Sequence, residues 1–345
     1  MNVYTPIRQR REPQPTLLSI VVPAFNEEAT LDALVQRVSS VMGELKQRYE
    51  LIFVNDGSTD MTLPSLMRIQ QERPEVGIVN LSRNFGKEIA LTAGLDYASG
   101  DAVVVLDADL QDPPELIPVF LDYWRQGFDV VYGQRISRAG ETWFKKKSAE
   151  WFYAIMARLG PVEMPQNAGD FRLMSDRVVF ALRQLPEQHR FMKGLFAWVG
   201  FPQKAVPYHR DPRHAGKTKW NYWKLWNFSL EGLTSYTTAP LRAATYIGLS
   251  VALCAFLYGL WIVFKTILLG DPVQGFPTVV TAILFLGGLQ LIGLGLIGEY
   301  LGRVFNETKR RPLYFVERFE KPKEIGSQTE WQDRQSTVSQ IRQLP

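Results

Sequence analysis

Residues Val103, Val104, Val105 and Leu106 form an uninterrupted apolar run that stops at Asp107-Ala108-Asp109, with Gln111, Asp112 and two prolines directly behind it. No polar residue alternates with the apolar ones, so as a strand this run needs cover on both faces, the condition of a central strand in a parallel sheet. Parallel strands require crossover connections, usually helices, so the segment commits the chain to a layered α/β domain. Carboxylates at the carboxyl end of such a strand stand where open α/β sheets bind ligands. Asp107 and Asp109, with the amide of Gln111, offer hard oxygens to Mg²⁺ or Mn²⁺, a kind of site that substrate phosphates often complete. The competing reading is a capped turn, since Asp112-Pro113-Pro114 also suits a helix start.

The flanking sequence supplies the rest of the sheet. Strands are predicted at 18–23, 51–55, 76–81, 102–106 and 129–133, and helices at 27–47, 63–71, 87–99 and 116–125. This alternation predicts a βαβ sandwich with a mostly parallel sheet. Two later segments read as amphipathic helices. Phe144, Trp151, Phe152, Ile155, Met156 and Leu159 share one side of 141–160, beside Lys145, Lys146 and Lys147, and Tyr222, Trp223, Trp226, Leu230 and Leu233 share one side of 220–236. Helices of this composition lie flat at a membrane surface, the alternative being ordinary packing onto the sheet.

Three predicted strands deliver acidic turns to one edge. The first ends in Pro23-Ala24-Phe25-Asn26-Glu27-Glu28, the second in Asn55-Asp56-Gly57-Ser58-Thr59-Asp60, and the fourth in Asp107 to Asp109. Such convergence marks a binding edge rather than independent loops. The residue types suit a nucleotide: a carboxylate such as Asp56 accepts the imide N–H of uracil, Arg83 and Lys87 in SRNFGKE neutralise a diphosphate near a helix N-terminus, and Gly86 admits close backbone approach.

Leu241 to Leu268 and Pro277 to Val304 are each long and apolar enough for a membrane helix, which needs roughly 20 residues, and together they read as a hairpin. Lys217, Lys219 and Lys224 precede the pair, Arg303, Lys309, Arg310 and Arg311 follow it, and the connecting GDPVQGFP has no Lys or Arg. The positive-inside bias places both flanks, hence the α/β domain and both termini, on the cytoplasmic side of a multi-pass membrane protein, with the loop outside. Gly287, Gly288, Gly293, Gly295 and Gly298 favour close helix packing and suit a homo-oligomer. Net charge is +4, with no basic run, which fits an anionic ligand or membrane lipid and argues against nucleic acid. Cys254 is the single cysteine, so neither an internal disulfide nor a cysteine zinc site is available.

The strings VVPAFNEE, VNDGSTD, LSRNFGKEIALTAGLDYASGD, VVLDADLQDPPE and VYGQR resemble the family 2 glycosyltransferases of GT-A type, specifically the branch acting on polyprenyl phosphates. The resemblance spans most of 18–320 and extends to the two C-terminal apolar helices. It implies that Pro23, Phe25, Glu27, Asp56 and Ser58 line the base and ribose of a UDP-sugar, Phe25 standing where a tyrosine is frequent. It implies that Asp107, Asp109 and Gln111 hold the diphosphate through Mg²⁺ or Mn²⁺, and that Arg135 binds phosphate. Ala168-Gly169-Asp170-Phe171-Arg172 resembles the acceptor-side segment, with Asp170 the candidate for orienting or deprotonating the acceptor. Arg210, Arg213, Thr218 and Lys219 resemble a phosphate-binding loop, Thr218 replacing serine.

The resulting expectation is a flexible tail at 1–16, a catalytic domain at 17–219, an interfacial helix at 220–236, two membrane helices within 237–304 and a cytoplasmic tail at 305–345. The expected reaction is inverting transfer of a sugar, favoured as glucose, from a UDP-sugar to undecaprenyl phosphate. A UDP-aminoarabinose derivative and GDP-mannose stand behind it as donors, and a non-catalytic membrane scaffold as the reading from another class.

Overall fold

The computed structural model describes residues 16–136, 168–188, 190–209, 239–269 and 275–323. They fall into two compact units, one holding the described residues up to 209 together with 312–323, the other those from 239 to 311. The first unit is built on one eight-stranded sheet: β1 (Leu18–Ala24), β2 (Tyr49–Asn55), β3 (Val76–Leu81), β4 (Ala102–Val105), β5 (Val130–Arg135), β6 (Ala168–Ser175), β7 (Gln203–Tyr208) and β8 (Val316–Glu320), in the order β7-β5-β6-β4-β1-β2-β3-β8. Of these strands β6 and β8 run against the others, giving the mostly parallel sheet that the strand–helix alternation predicts.

Helices α1 (Leu31–Leu45), α2 (Thr62–Glu72), α3 (Lys87–Tyr97) and α4 (Ile117–Arg125) follow β1 to β4, and α5 (Asp176–Arg183) and α6 (Met192–Trp198) follow β6. In α1 the buried residues Leu31, Leu34, Val35, Val38, Val41 and Met42 recur at the spacing of one helical face, which seats that helix on the sheet. Helix α3 packs differently. Ala90 to Leu95 are buried without a polar side, and a methyl group added at Gly94 would lie 2.2 Å from Val21 Cγ1, so only glycine lets the helix approach β1 this closely. That approach anchors α3 over the sheet, with Lys87 in its first turn.

Three strands were not foreseen from sequence. β6 carries Asp170 and Arg172 in mid-strand, charges that alternation rules read as loop, yet all eight of its residues are buried. β7 contains Pro207, tolerated because β7 is an edge strand with no neighbour to accept its missing N–H. β8 lies within the segment expected as a cytoplasmic tail at 305–345: Val316–Glu320 returns to pair antiparallel with β3 and so joins the sheet. Phe319 stacks on Tyr97 with ring centroids 4.6 Å apart, and the Tyr314 hydroxyl donates to Asp96 at 2.7 Å. The first helix begins at Leu31 rather than at 27, because Asn26 takes a left-handed conformation (φ 55°) and 27–30 close as a turn, Thr30 Oγ1 donating to the Glu27 carbonyl at 3.0 Å.

The second unit holds α7 (Ala239–Leu269) and α8 (Phe276–Thr308). Within α8, Phe285–Thr308 is long and apolar enough to cross a membrane, and none of that window is buried. Leu291, Ile292, Leu294 and Leu301 lie open, an apolar surface larger than a water-facing helix presents. Glu299 pairs with Arg303 one turn on at 3.1 Å.

Candidate active site

The loops after β1, β2 and β3 are stitched into one rim by backbone and side-chain bonds. Asn26 N–H donates to Ser58 Oγ at 3.0 Å, Thr59 N–H to Asn26 Oδ1 at 2.9 Å, and Glu27 N–H to Thr62 Oγ1 at 2.9 Å. Pro23 is buried inside β1, while Phe25 and Glu27 beyond it are half-buried. Gly57 is indispensable to this rim, because its φ is +64° and an added methyl group would meet the Arg83 carbonyl carbon and the Asn84 nitrogen at 2.5 Å.

Asp56 is buried, and its two carboxylate oxygens accept the backbone N–H groups of Phe85 at 2.7 Å and Gly86 at 2.9 Å. Burial pushes its carboxyl above the ordinary range, against those two donors and Arg83. The aspartate therefore shapes the loop after β3, where sequence alone offers it to a base. Gly86 is required for its φ of +98°, and the space beside its Cα is open. Arg83 is exposed, donates to the Asn84 carbonyl at 2.8 Å and lies over the Phe85 ring at 3.9 Å.

Asp107 and Asp170 meet through strand register. β6 runs antiparallel to β4 with Arg172 opposite Val105, so two residues further on Asp170 comes level with Asp107. Lys87, in the first turn of α3, places Nζ 2.8 Å from the Asp107 carboxylate and 2.6 Å from that of Asp170. The sequence pointed Lys87 at a diphosphate, and the structure adds that its ammonium pairs with two acids at the same edge. Burial opposes its charge, yet Asp107 and Asp170 hold the ammonium well above the ordinary lysine value. Asp170 is only 8% exposed, and burial would raise its carboxyl, but Lys87, Lys193 and Arg172 hold it below the usual carboxylate range. Its Oδ1 is buried and accepts no hydrogen bond among the described residues.

A second layer supports this pair. Arg172 donates to the carbonyls of Gly169 at 2.7 Å and Asp170 at 3.3 Å and lies 3.6 Å over the Phe196 ring. Burial pushes that guanidinium down to about 10, against the nearby Asp170 and Glu88. Glu88 is pushed up to about 7 by burial and by the Asp170 charge. On the other side, Arg135 lies against Gly169, where an added methyl group would stand 3.0 Å from Nη2, and its Nε donates to the Tyr208 hydroxyl at 3.4 Å. Tyr208 donates in turn to the fully buried Asp112. Sequence reasoning missed Tyr208, Glu88 and Lys193 as members of the site, since none sits in a recognisable acidic turn, and it gave Arg172 no role of its own within the acceptor-side segment. The pairing of Arg135 with Tyr208 across β5 and β7 is a matter of register.

Asp109 Oδ1 accepts the Gln111 N–H at 3.2 Å, and between them Leu110 takes a left-handed φ of 59°, a cost of about 1–3 kcal/mol that concentrates at functional loops. Among the described residues no three His, Cys, Asp or Glu side chains are grouped to hold a metal. Asp107 and Asp109 carry carboxylate oxygens and Gln111 an amide oxygen on the turn after β4, and the Lys87 ammonium lies against the first of them. Such a set fits Mg²⁺ or Mn²⁺ when phosphate oxygens complete it. Arg210, Arg213, Thr218 and Lys219 lie outside the described residues, as do both segments read as interfacial helices and the tail at 1–15.

The family described as glycosyl transferase family 2 matches residues 19–180, and the GtrB C-terminal hairpin matches residues 239–304. A protein of Synechocystis sp. described as an uncharacterized glycosyltransferase is 56% identical over 87% of this chain and 94% of its own length. The bactoprenol glucosyl transferase of Shigella phage SfV is 47% identical over 87% of this chain and 97% of its own. A prophage bactoprenol glucosyl transferase homolog of Escherichia coli is 46% identical over 88% of this chain and 99% of its own.

Proposed function

The chain belongs to glycosyl transferase family 2 and is a glycosyltransferase, and from that premise we propose that it moves glucose from UDP-glucose to undecaprenyl phosphate. The observation that carries the acceptor and the sugar is the identity, near full length, to proteins named bactoprenol glucosyl transferases. The proposed reaction is a single displacement. A phosphate oxygen of the lipid attacks the anomeric carbon from the face opposite the nucleotide; that C–O bond forms as the bond to the UDP β-phosphate breaks. UDP leaves with the electron pair, and the configuration inverts.

In this reading the rim formed by Pro23, Phe25, Glu27, Asp56 and Ser58 receives uridine, and Arg83, Lys87 and Arg135 face the diphosphate. Asp107, Asp109 and Gln111 would hold Mg²⁺ or Mn²⁺, which when bound acts as a Lewis acid for the leaving diphosphate. Asp170, kept anionic by Lys87, orients the acceptor or takes its remaining proton, and its unpartnered Oδ1 supports that role. An acceptor phosphate already ionised near neutral pH asks little of a base. Arg210, Arg213, Thr218 and Lys219 are assigned to the lipid phosphate by resemblance.

The apolar α8 and the matched hairpin support membrane attachment. We place the boundaries of that anchor at 237–304, with the loop between its helices outside and the catalytic domain and both termini cytoplasmic. The test is transfer of label from UDP- and GDP-sugars to undecaprenyl phosphate by the purified protein with Mg²⁺ or Mn²⁺. Lipid-extractable label from UDP-glucose is the expected result. Label from a different donor replaces the sugar assignment, and none from any donor overturns the reading.

A further inference from the structure

An unbroken chain of hydrogen bonds runs from the candidate nucleotide rim to the strand that follows α8. Asn26 N–H donates to Ser58 Oγ at 3.0 Å, and Ser58 N–H donates to Asn55 Oδ1 at 3.3 Å. Asn55 Nδ2 donates to Asn80 Oδ1 at 2.7 Å, and Asn80 Nδ2 donates to Glu317 Oε2 at 2.9 Å. Asn55 and Asn80 are register partners on β2 and β3, exposed by only 2% and 7%. Glu317 enters the chain because of an irregularity: Asn80 pairs with Arg318 and Leu81 with Val316, which leaves Glu317 as the extra residue of a bulge. A bulge re-aims the side chain it carries.

The order of donors and acceptors in this chain is dictated from the Glu317 end. A carboxylate only accepts, so it forces Asn80 to present its NH₂, which turns the Asn80 oxygen toward Asn55. That oxygen draws the Asn55 NH₂, and the Asn55 oxygen is thereby left for the Ser58 N–H. Both amides are buried although Glu317 itself is exposed, and an unmet donor on a buried amide is costly.

We propose that Glu317 is a positioning residue for the donor site: by fixing the orientation of Asn80 and Asn55 it sets the loop that carries Asp56 and Ser58. The proposal rests on the nucleotide reading of that rim. It also makes the segment following α8 a determinant of donor affinity, although Glu317 touches none of the residues assigned to the donor. Glu317→Lys inverts the relay, since an ammonium only donates: Asn80 and Asn55 turn over, and the Asn55 NH₂ meets the Ser58 N–H, donor against donor. Glu317→Gln keeps an acceptor oxygen and preserves the order.

The experiment uses the full-length protein in detergent, comparing wild type, Glu317→Gln and Glu317→Lys by UDP binding in the presence of Mn²⁺ and by mass-resolved amide hydrogen exchange over 55–60. The lysine variant should bind UDP about tenfold more weakly and exchange faster over 55–60, while the glutamine variant stays within about twofold of wild type. In turnover the defect should appear in KM for the donor and not in kcat. Wild-type affinity and exchange in Glu317→Lys overturn the proposal, as does equal loss in both variants, which marks β8 as structural cover only. If wild type binds no UDP the nucleotide reading fails, and the exchange comparison alone still decides whether Glu317 sets the loop.

Discussion

Asp170 stands level with Asp107 across the β4–β6 pair, and the Lys87 ammonium closes the gap between them at 2.6 and 2.8 Å. The two acids come from strands of opposite direction, and the antiparallel register, extended two residues beyond the Val105–Arg172 pair, brings them level. One cation thus balances a carboxylate of the proposed metal set and the candidate acceptor-side carboxylate together.

Lys87→Met should leave both acids without that cation and abolish transfer, with kcat/KM down by at least about a hundredfold. Breaking a buried pair costs about 3–5 kcal/mol, but the Lys87 side chain is 46% exposed, so solvent screening reduces the loss to about 1–2 kcal/mol. Thermal unfolding and a donor titration measure the two effects separately. Lys87→Arg should fail to rescue, since a planar guanidinium does not replace a point charge shared by two carboxylates.

Asp109→Ala should eliminate lipid-linked label while leaving membrane insertion and the folding midpoint near wild type, because the side chain is half-buried in a surface turn. EDTA should do the same to the wild-type protein, with recovery on adding Mg²⁺ or Mn²⁺. Persistent transfer in EDTA would remove the metal from the mechanism.

Asp170→Asn should lower kcat with little change in UDP affinity, since the residue is assigned to the acceptor side. Near-full turnover with donor binding intact would withdraw that assignment. The variant also removes the charge that helps raise Glu88, so the two residues should not behave additively.

Glu88 makes stability depend on pH. Its carboxyl is raised from near 4.5 to about 7 in the folded protein, chiefly by burial and then by Asp170. The folded state therefore prefers the protonated form: the stabilisation is complete below the unfolded value and is lost as pH rises through about 7. Glu88→Gln should flatten the decline in unfolding free energy between pH 4.5 and 7, measured by denaturant titration at several pH values.

Gly57→Ala and Gly86→Ala separate strain from collision. Both glycines hold positive φ, but only at Gly57 would the new methyl group strike backbone, at 2.5 Å. Gly86→Ala should cost about 1 kcal/mol and weaken donor binding modestly, whereas Gly57→Ala should cost about 3 kcal/mol or more and displace the loop against Arg83 and Asn84. Unfolding midpoints with UDP titrations distinguish the two.

The identity of the sheet was legible in the chain itself, because Val103 to Leu106 and the parallel runs at 18–23, 51–55 and 76–81 depend on local composition and spacing. So were the acidic strand ends, since a parallel sheet delivers every carboxyl end to one edge. The two apolar helices were readable from hydropathy for the same local reason. What the tertiary structure alone decided is pairing over long separations. β6 hides charged residues that Lys87, Lys193, the Phe196 ring and two carbonyls make tolerable in a buried strand, and no window of sequence around 168–175 contains Lys87. The register that sets Asp170 beside Asp107, the approach of Tyr208 to Arg135 and Asp112, and the return of Glu317 to Asn80 each join segments far apart in the chain. Local propensity and periodicity hold no record of such partners; the energies that select them, burial of charge against its counter-charge and of each amide against its acceptor, exist only once the sheet has formed.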